Sequence, residues 1–330
     1  RFIGQDFTPL QVIALPEVPT NFCVSQSIVG PLEITSALDM MPQTAISFAC
    51  RYVDDEFTQF DEYVHASMED FLNICREIYE KTGYKTNLQY NNGTSWLDFF
   101  LRSKGEYLFQ DGKIGASEKS LTGFFDLYKM GIDEGWLIDP SVFAERAIGQ
   151  PEQEPLVYGT DPKNMSWCAF YFSNNMNAIT KSAPEGMEIG ITTWPSDDAE
   201  KSNYLKPSMF FSVSVDSKEP KEAVKLIDFW TNSIDCNKIL LAERGVPVST
   251  KVAEAITADM SESNQKVVDY INKVVTPKCS TVSPASPNGA TEIYDVVYKL
   301  EEKVCYGEIT ADVAAKELLT QGTKILESKK

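Results

Sequence analysis

The chemistry open to this chain is limited first by what it lacks. Its one histidine is His65, in EYVHASME, so a Ser-His or Cys-His couple would rest on that residue alone. Beside Glu62 it reads as an exposed loop position. No G-x-S-x-G, H-E-x-x-H, G-x-x-x-x-G-K-[ST] or G-x-G-x-x-G occurs. Ser263–Lys266 fits S-x-x-K, a pattern short enough to arise by chance. Asp54, Asp55 and Glu56 lack the alternating ligands and glycine of a calcium loop and read as a solvated face. The seven cysteines form no C-x-x-C and have no histidine at metal-ligand spacing, so no metal or cofactor is expected. Their odd number leaves at least one unpaired within a monomer. Cys75 and Cys168, set in apolar runs, read as small buried hydrophobes. The 48 acidic residues leave a spatially paired set of carboxylates for glycoside hydrolysis open.

Binding chemistry is better supplied. A sugar presents apolar ring faces that stack on aromatic rings and hydroxyl edges that pair with amides and hydroxyls. Tyr171-Phe172-Ser173-Asn174-Asn175 offers both kinds of group at the end of a predicted strand. Open α/β sheets place their ligands there, and the helix that follows adds unpaired backbone N–H groups. Tyr171, Ser173, Asn174 and Asn175 are therefore candidates. The alternative is that Tyr171 is core and Asn174 only a helix cap; a cap needs one asparagine, which leaves Asn175 for the ligand. Arg244 in ERGVP either pairs with a surface acid such as Glu243 or binds a carboxylated sugar such as a uronate.

Helices and strands must position these groups. Met68, Phe71, Leu72, Cys75, Ile78 and Tyr79 follow the spacing of one buried helix face over 67–82, with Ser67 and Asp70 as a capping pair and Gly83 as the stop. Leu121, Phe124, Phe125 and Tyr128 repeat the pattern in 118–130. Ala223, Leu226, Ile227 and Trp230 do so in 220–232, where Pro220 falls in the first turn. The last helix is 311–327. Strand character marks Leu10–Leu15, Trp167–Phe172, Met187–Trp194 and Met209–Val215. Strands interleaved with helices indicate an α/β protein with largely parallel sheets, and Thr276–Asn288 reads as an irregular crossing. Trp194 and Trp230 read as core.

With 330 residues the chain exceeds one ordinary domain, and 43% hydrophobic residues provide a substantial core. A formal charge of −18 argues against nucleic acid and anionic membranes as partners, since both are bound through Lys and Arg. No apolar run approaches the roughly 20 residues that span a bilayer.

From about residue 120 onward the order of segments resembles the family 1 extracellular solute-binding proteins, the sugar-binding components of ABC importers. The resemblance rests on LYKMGIDEGWLIDP (Leu127–Pro140), NMSWCAFYFSNNMNAI (Asn164–Ile179), MEIGITTWPSDD (Met187–Asp198), KPSMFFSVSVDSKEPKEAVKLIDFWTNS (Lys206–Ser233) and LLAERGVPVST (Leu240–Thr250), with VIALPEVPTNF (Val12–Phe22) upstream. It implies a two-lobed α/β periplasmic-binding-protein-like fold with the ligand cleft between the lobes. Residues 1–16 and 208–281 would form lobe 1, and 17–207 and 282–330 lobe 2. The resemblance also implies that strand–helix units opening lobe 1 are missing before Arg1.

The implied function is non-catalytic capture of a carbohydrate, an oligosaccharide, by lobe closure. Delivery would be to an ABC importer permease, by a monomer at the cell surface (as a lipoprotein) or in a periplasm. By the same resemblance Trp96 occupies the place of an aromatic sugar platform; its alternative is a tryptophan anchoring a helix to the core. Glu17, after the Leu-Pro of the first crossing, suits sugar hydroxyls. Ser208 and Ser286 fall where the second and third crossings border the cleft. A carbohydrate-active enzyme, or the same fold with a polyamine or other ligand, is the competing reading.

Overall fold

The computed structural model describes the backbone of residues 3–5, 9–15 and 67–329, apart from Gly93, Glu145, Gly186, Lys206, Val215, Glu243 and Arg244. Side chains are described from residue 67, apart from Pro162, Glu188 and residues 207–210. Glu17 and Arg244 therefore lie outside the described residues, as do His65 and the acidic run at 54–56.

The first long helix, α1 (Met68–Thr82), forms as the local rules require. Ser67 Oγ accepts the Asp70 N–H at its start, and Gly83 closes it in the left-handed region at φ 78°. Helix α2 (Thr94–Ser103) leads into a hairpin of β3 (Phe109–Gln110) and β4 (Lys113–Ile114), then α3 (Glu118–Asp133). These pack with α10 (Ala290–Cys305) and α11 (Ala311–Ser328) around a core that holds Phe71, Trp96, Phe124, Tyr128, Trp136 and Val297.

The central sheet is β5 (Cys168–Phe172), β2 (Pro9–Leu15) and β6 (Glu188–Thr193), in that order. Every ladder in it is antiparallel, not parallel as the interleaved pattern suggests. The reason is topological. Helix α4 (Met176–Ser182) joins β5 to β6 so that both run the same way, and β2 inserts between them pointing the other way. Single parallel bridges, Lys85 to Ser166 and Thr86 to Leu137, extend the sheet beyond β5. Local periodicity reports which face of a strand is buried and says nothing of its neighbour's direction.

After the short α5 (Ala199–Ser202), strand β7 (Pro207–Phe210) pairs antiparallel with β1 (Ile3–Gln5). It ends at Phe210, so the expected alternation is not strand over 211–214, and Phe211 is exposed, while Val215 lies outside the described residues. Helices α6 (Pro220–Asn232), α7 (Ile234–Leu240), α8 (Thr250–Ile256) and α9 (Glu262–Tyr270) follow. Helix α6 has its expected bounds, yet none of its residues is buried; Trp230, expected in the core, is 43% exposed against Phe211. Periodicity marks the apolar face correctly, but among the described residues no element covers it.

Candidate functional site

The segment joining the sheet to α2, residues 87–94, runs against the ordinary backbone preferences. Gln89 (φ 60°) and Asn91 (φ 53°) both sit in the left-handed region without being glycine, a conformation that costs roughly 1 kcal/mol or more per residue and persists only when neighbours enforce it. The enforcing bonds are present. Asn87 Oδ1 accepts the Gln89 N–H at 3.0 Å, and Gln89 Nε2 donates to the Phe170 carbonyl at 2.7 Å. Tyr128 Oη donates to the Leu88 carbonyl at 2.8 Å. The Asn91 N–H donates to Glu301 Oε2 at 3.1 Å. One internal bond and three elements, β5, α3 and α10, thus hold one amide-rich turn.

Behind it lies a polar cavity lined by Asn87, Gln89, Tyr90, Asn92, Phe143, Gly149, Gln150, Gln153, Glu154 and Tyr171, with a free space of about 10 Å³, room for one water-sized group. Tyr90 stacks on Phe143 with ring centres 5.4 Å apart. Gly149 (φ 81°) lets the chain approach Asn92, whose amide nitrogen lies 3.2 Å from where a β-carbon would stand. Glu154 is buried at its base. Its carboxyl accepts from Tyr171 Oη at 2.8 Å and from Asn87 Nδ2, and desolvation, outweighing these bonds and Arg146, pushes it up to about 7. Gln89 Oε1 is buried without a partner among the described residues. Tyr171→Phe removes the donor to Glu154 and is expected to cost about 1–3 kcal/mol. An unchanged denaturation midpoint would show that this bond carries no weight.

Near the start of α2, α10 presents tyrosines that are neither core nor fully exposed. Tyr294 meets Ser286 Oγ at 3.0 Å and packs on Phe109, and Tyr298 Oη donates to Thr94 Oγ1 at 3.5 Å. Ser286 is thereby placed beside Tyr294.

The other expected residues divide. Trp96 is corrected: it is fully buried, its ring 5.0 Å from Phe170, 5.8 Å from Trp194 and 6.1 Å from both Phe99 and Phe100. A stacking platform needs one open face, so Trp96 anchors α2, and Trp194 is core beside it as expected. Tyr171 turns its hydroxyl inward to Glu154 and supports the cavity from behind. Ser173 is fully buried, whereas Asn174 is exposed and Asn175 half-buried. Neither asparagine caps through its side chain: Asn175 occupies the cap position of α4 without a side-chain bond, and its amide donates weakly to the Phe172 carbonyl. Ser208 lies in β7, its side chain outside the description. Asn87, Gln89, Glu154, Tyr294 and Tyr298 are additions. The density of amides in NLQYNN was the one available signal for the first two.

Amides, hydroxyls and half-open aromatic rings are groups that can pair with the hydroxyls and ring faces of a polar small molecule. Among the described residues no group of three or more His, Cys, Asp or Glu is placed to hold a metal. The Ser263-x-x-Lys266 pair is turned to other work, Ser263 toward Asn177 and Lys266 toward Glu262.

No family model matches the chain. Solved structures do. An extracellular solute-binding protein family 1 member from Alicyclobacillus acidocaldarius superposes with TM-score 0.71 at 16% identity, over 98% of this chain and 71% of that one. A periplasmic solute-binding protein from Pectobacterium atrosepticum gives 0.72 at 15%, over 99% and 73%. A periplasmic oligogalacturonide-binding protein from Yersinia enterocolitica, in complex with saturated digalacturonic acid, gives 0.63 at 18%, over 80% and 66%. The chain thus spans 66% to 73% of the length of these proteins. Its fold is the two-lobed α/β fold of the extracellular and periplasmic solute-binding proteins.

Proposed function

We propose that this protein is an extracytoplasmic solute-binding protein that captures a carbohydrate, an oligosaccharide, by closing two lobes around it and presents it to an ABC importer permease. The observation that carries this reading is the turn at 87–94, where two left-handed non-glycine residues hold amides beside a polar cavity and Thr94 meets Tyr298 of α10. Lobe 1 would comprise residues 1–16 and 208–281, and lobe 2 residues 17–207 and 282–330. Asn174, Asn175, Ser208 and Ser286 would face the cleft with Tyr294 and Tyr298. The protein would act as a monomer without a cofactor, tethered as a surface lipoprotein or free in a periplasm. Glycoside hydrolysis uses two carboxylates, and the cavity lining has one, Glu154, already bonded to Tyr171 and Asn87.

The test is a thermal-shift screen against neutral oligosaccharides, uronates, polyamines and amino acids, because a ligand that binds only the folded state raises the melting temperature by mass action. A shift with one glycan class and no product after long incubation is the expected result. A shift with polyamines alone, or breakdown of the glycan, would overturn the function proposed.

A further inference from the structure

Of the three arginines among the described residues, two are fully engaged within the fold. Arg76 donates to Glu134 through Nε at 2.6 Å and Nη2 at 3.1 Å, and Arg102 donates to Ser202, Ser280, Thr281 and Ser283. Arg146 stands apart. Its Nη1 is buried without a hydrogen-bond partner, and no ion pair joins it to a described residue. The guanidinium is held in place all the same. It lies 5.1 Å from the ring centre of Tyr158, a residue 51% exposed, and Nη2 stands 3.5 Å from where a β-carbon of Gly159 (φ 121°) would be.

The fold takes water from this charge without replacing it. Desolvation draws the Arg146 pKa below the usual arginine range, with Glu154 and Tyr158 acting the other way. Glu154 is itself committed, accepting from Tyr171 and Asn87. An acceptor brought from outside would therefore relieve a cost that the fold leaves standing. The polar cavity is the neighbour of Arg146, since Ala147, Ile148, Gly149 and Gln150, next along the chain, all line it. With room for one water-sized group, the cavity takes a hydroxyl but no sugar ring and no carboxylate. A carboxylate has to be met beside it. On a chain of formal charge −18, the cation suited to that is one the fold has left unpaired.

We propose that Arg146 is the receptor for a ligand carboxylate, and that the carbohydrate captured is an acidic one, built of uronate residues. The planar fork grips the carboxylate through paired N–H groups, and the amides of Asn92 and Gln150 are left for hydroxyls. The inference rests on the solute-binding reading for the sugar but not for the carboxylate.

Calorimetric titration of the full chain decides it, with galacturonate, glucuronate and mannuronate dimers, their neutral methyl esters, and two sugar-free carboxylates, glutamate and citrate. One uronate dimer should bind about tenfold or more tighter than its ester, and that preference should collapse in Arg146→Gln. Arg146→Lys should restore only part of it, because an ammonium lacks the fork. Both variants should melt within about 2 °C of the parent, since no hydrogen bond of the fold is lost. Equal binding of acid and ester, or a preference that survives Arg146→Gln, would overturn the receptor and leave carbohydrate capture intact. Binding of glutamate or citrate alone, lost in Arg146→Gln, would uphold the receptor while the carbohydrate reading falls. Failure of every acid in the panel to bind would overturn the receptor outright. A melting temperature that collapses in Arg146→Gln would make the residue structural and overturn it equally.

Discussion

Trp96→Ala is expected to destabilise the protein by about 3–5 kcal/mol, visible as a fall of roughly 10 °C in the melting temperature. Trp96 stands where α2, β5 and the segment after β6 converge. Its ring meets Phe99 and Phe100 on its own helix, Phe170 on the strand and Trp194 beyond the sheet. Phe170 in turn touches Phe71 of α1, and Phe99 touches Trp194. Removing the indole therefore opens a void that four rings, each locked by further contacts, cannot collapse into. Trp96→Phe sharpens the test. The indole N–H is buried and unpartnered among the described residues, so phenylalanine removes an unsatisfied donor together with part of the volume. The two effects oppose each other, and the loss should be less than half that of alanine. If instead Trp96→Ala leaves stability intact and abolishes a sugar-induced thermal shift, the ring is a binding platform and its buried placement is wrong.

That same helix shows what can be read from the chain and what cannot. The resemblance implies a site role for Trp96, yet Leu97, Phe99, Phe100 and Leu101 beside it are buried too. A helix apolar on nearly every face is interior, so the correction was available in WLDFFL itself. Helix α1 was fully legible, since Ser67 and Gly83 act within a turn of the ends they close. The sheet was legible in its strands and not in its pairing, because β2 is brought between β5 and β6 from a distant part of the chain. Tyr171 could be named but its direction could not: its partner, Glu154, follows a single turn of 3-10 helix that carries no periodic signal. Glu301 was least visible of all. It sits in KLEEK, indistinguishable by type from Glu302 beside it, and only the packing of α10 against the 87–94 turn buries one and exposes the other.

That buried Glu301 makes stability fall as pH rises through neutrality, and Glu301→Gln is expected to abolish most of the fall. Glu301 is fully buried; desolvation, outweighing the bond from the Asn91 N–H and the nearby Tyr128 hydroxyl, raises its carboxyl from 4.5 to about 8. Among the described residues no lysine or arginine contributes to the shift. A carboxyl raised in the folded state binds its proton more tightly there than in the unfolded chain. Its contribution is therefore complete below about pH 4.5, declines as pH rises, and is gone above pH 8. At 1.36 kcal/mol per unit the whole span amounts to about 5 kcal/mol. Glu154, raised to about 7, adds a smaller decline that ends earlier. The background is unusually quiet, because the chain has one histidine. Melting temperatures from pH 5 to 9 should fall for the parent protein. Glu301→Gln keeps an acceptor for the Asn91 N–H without a charge, so its curve should be nearly flat between pH 7 and 8, while Glu154→Gln should flatten the range below 7. A Glu301→Gln curve parallel to the parent's would mean that the carboxyl ionises at no cost, and that the turn it holds is not linked to pH.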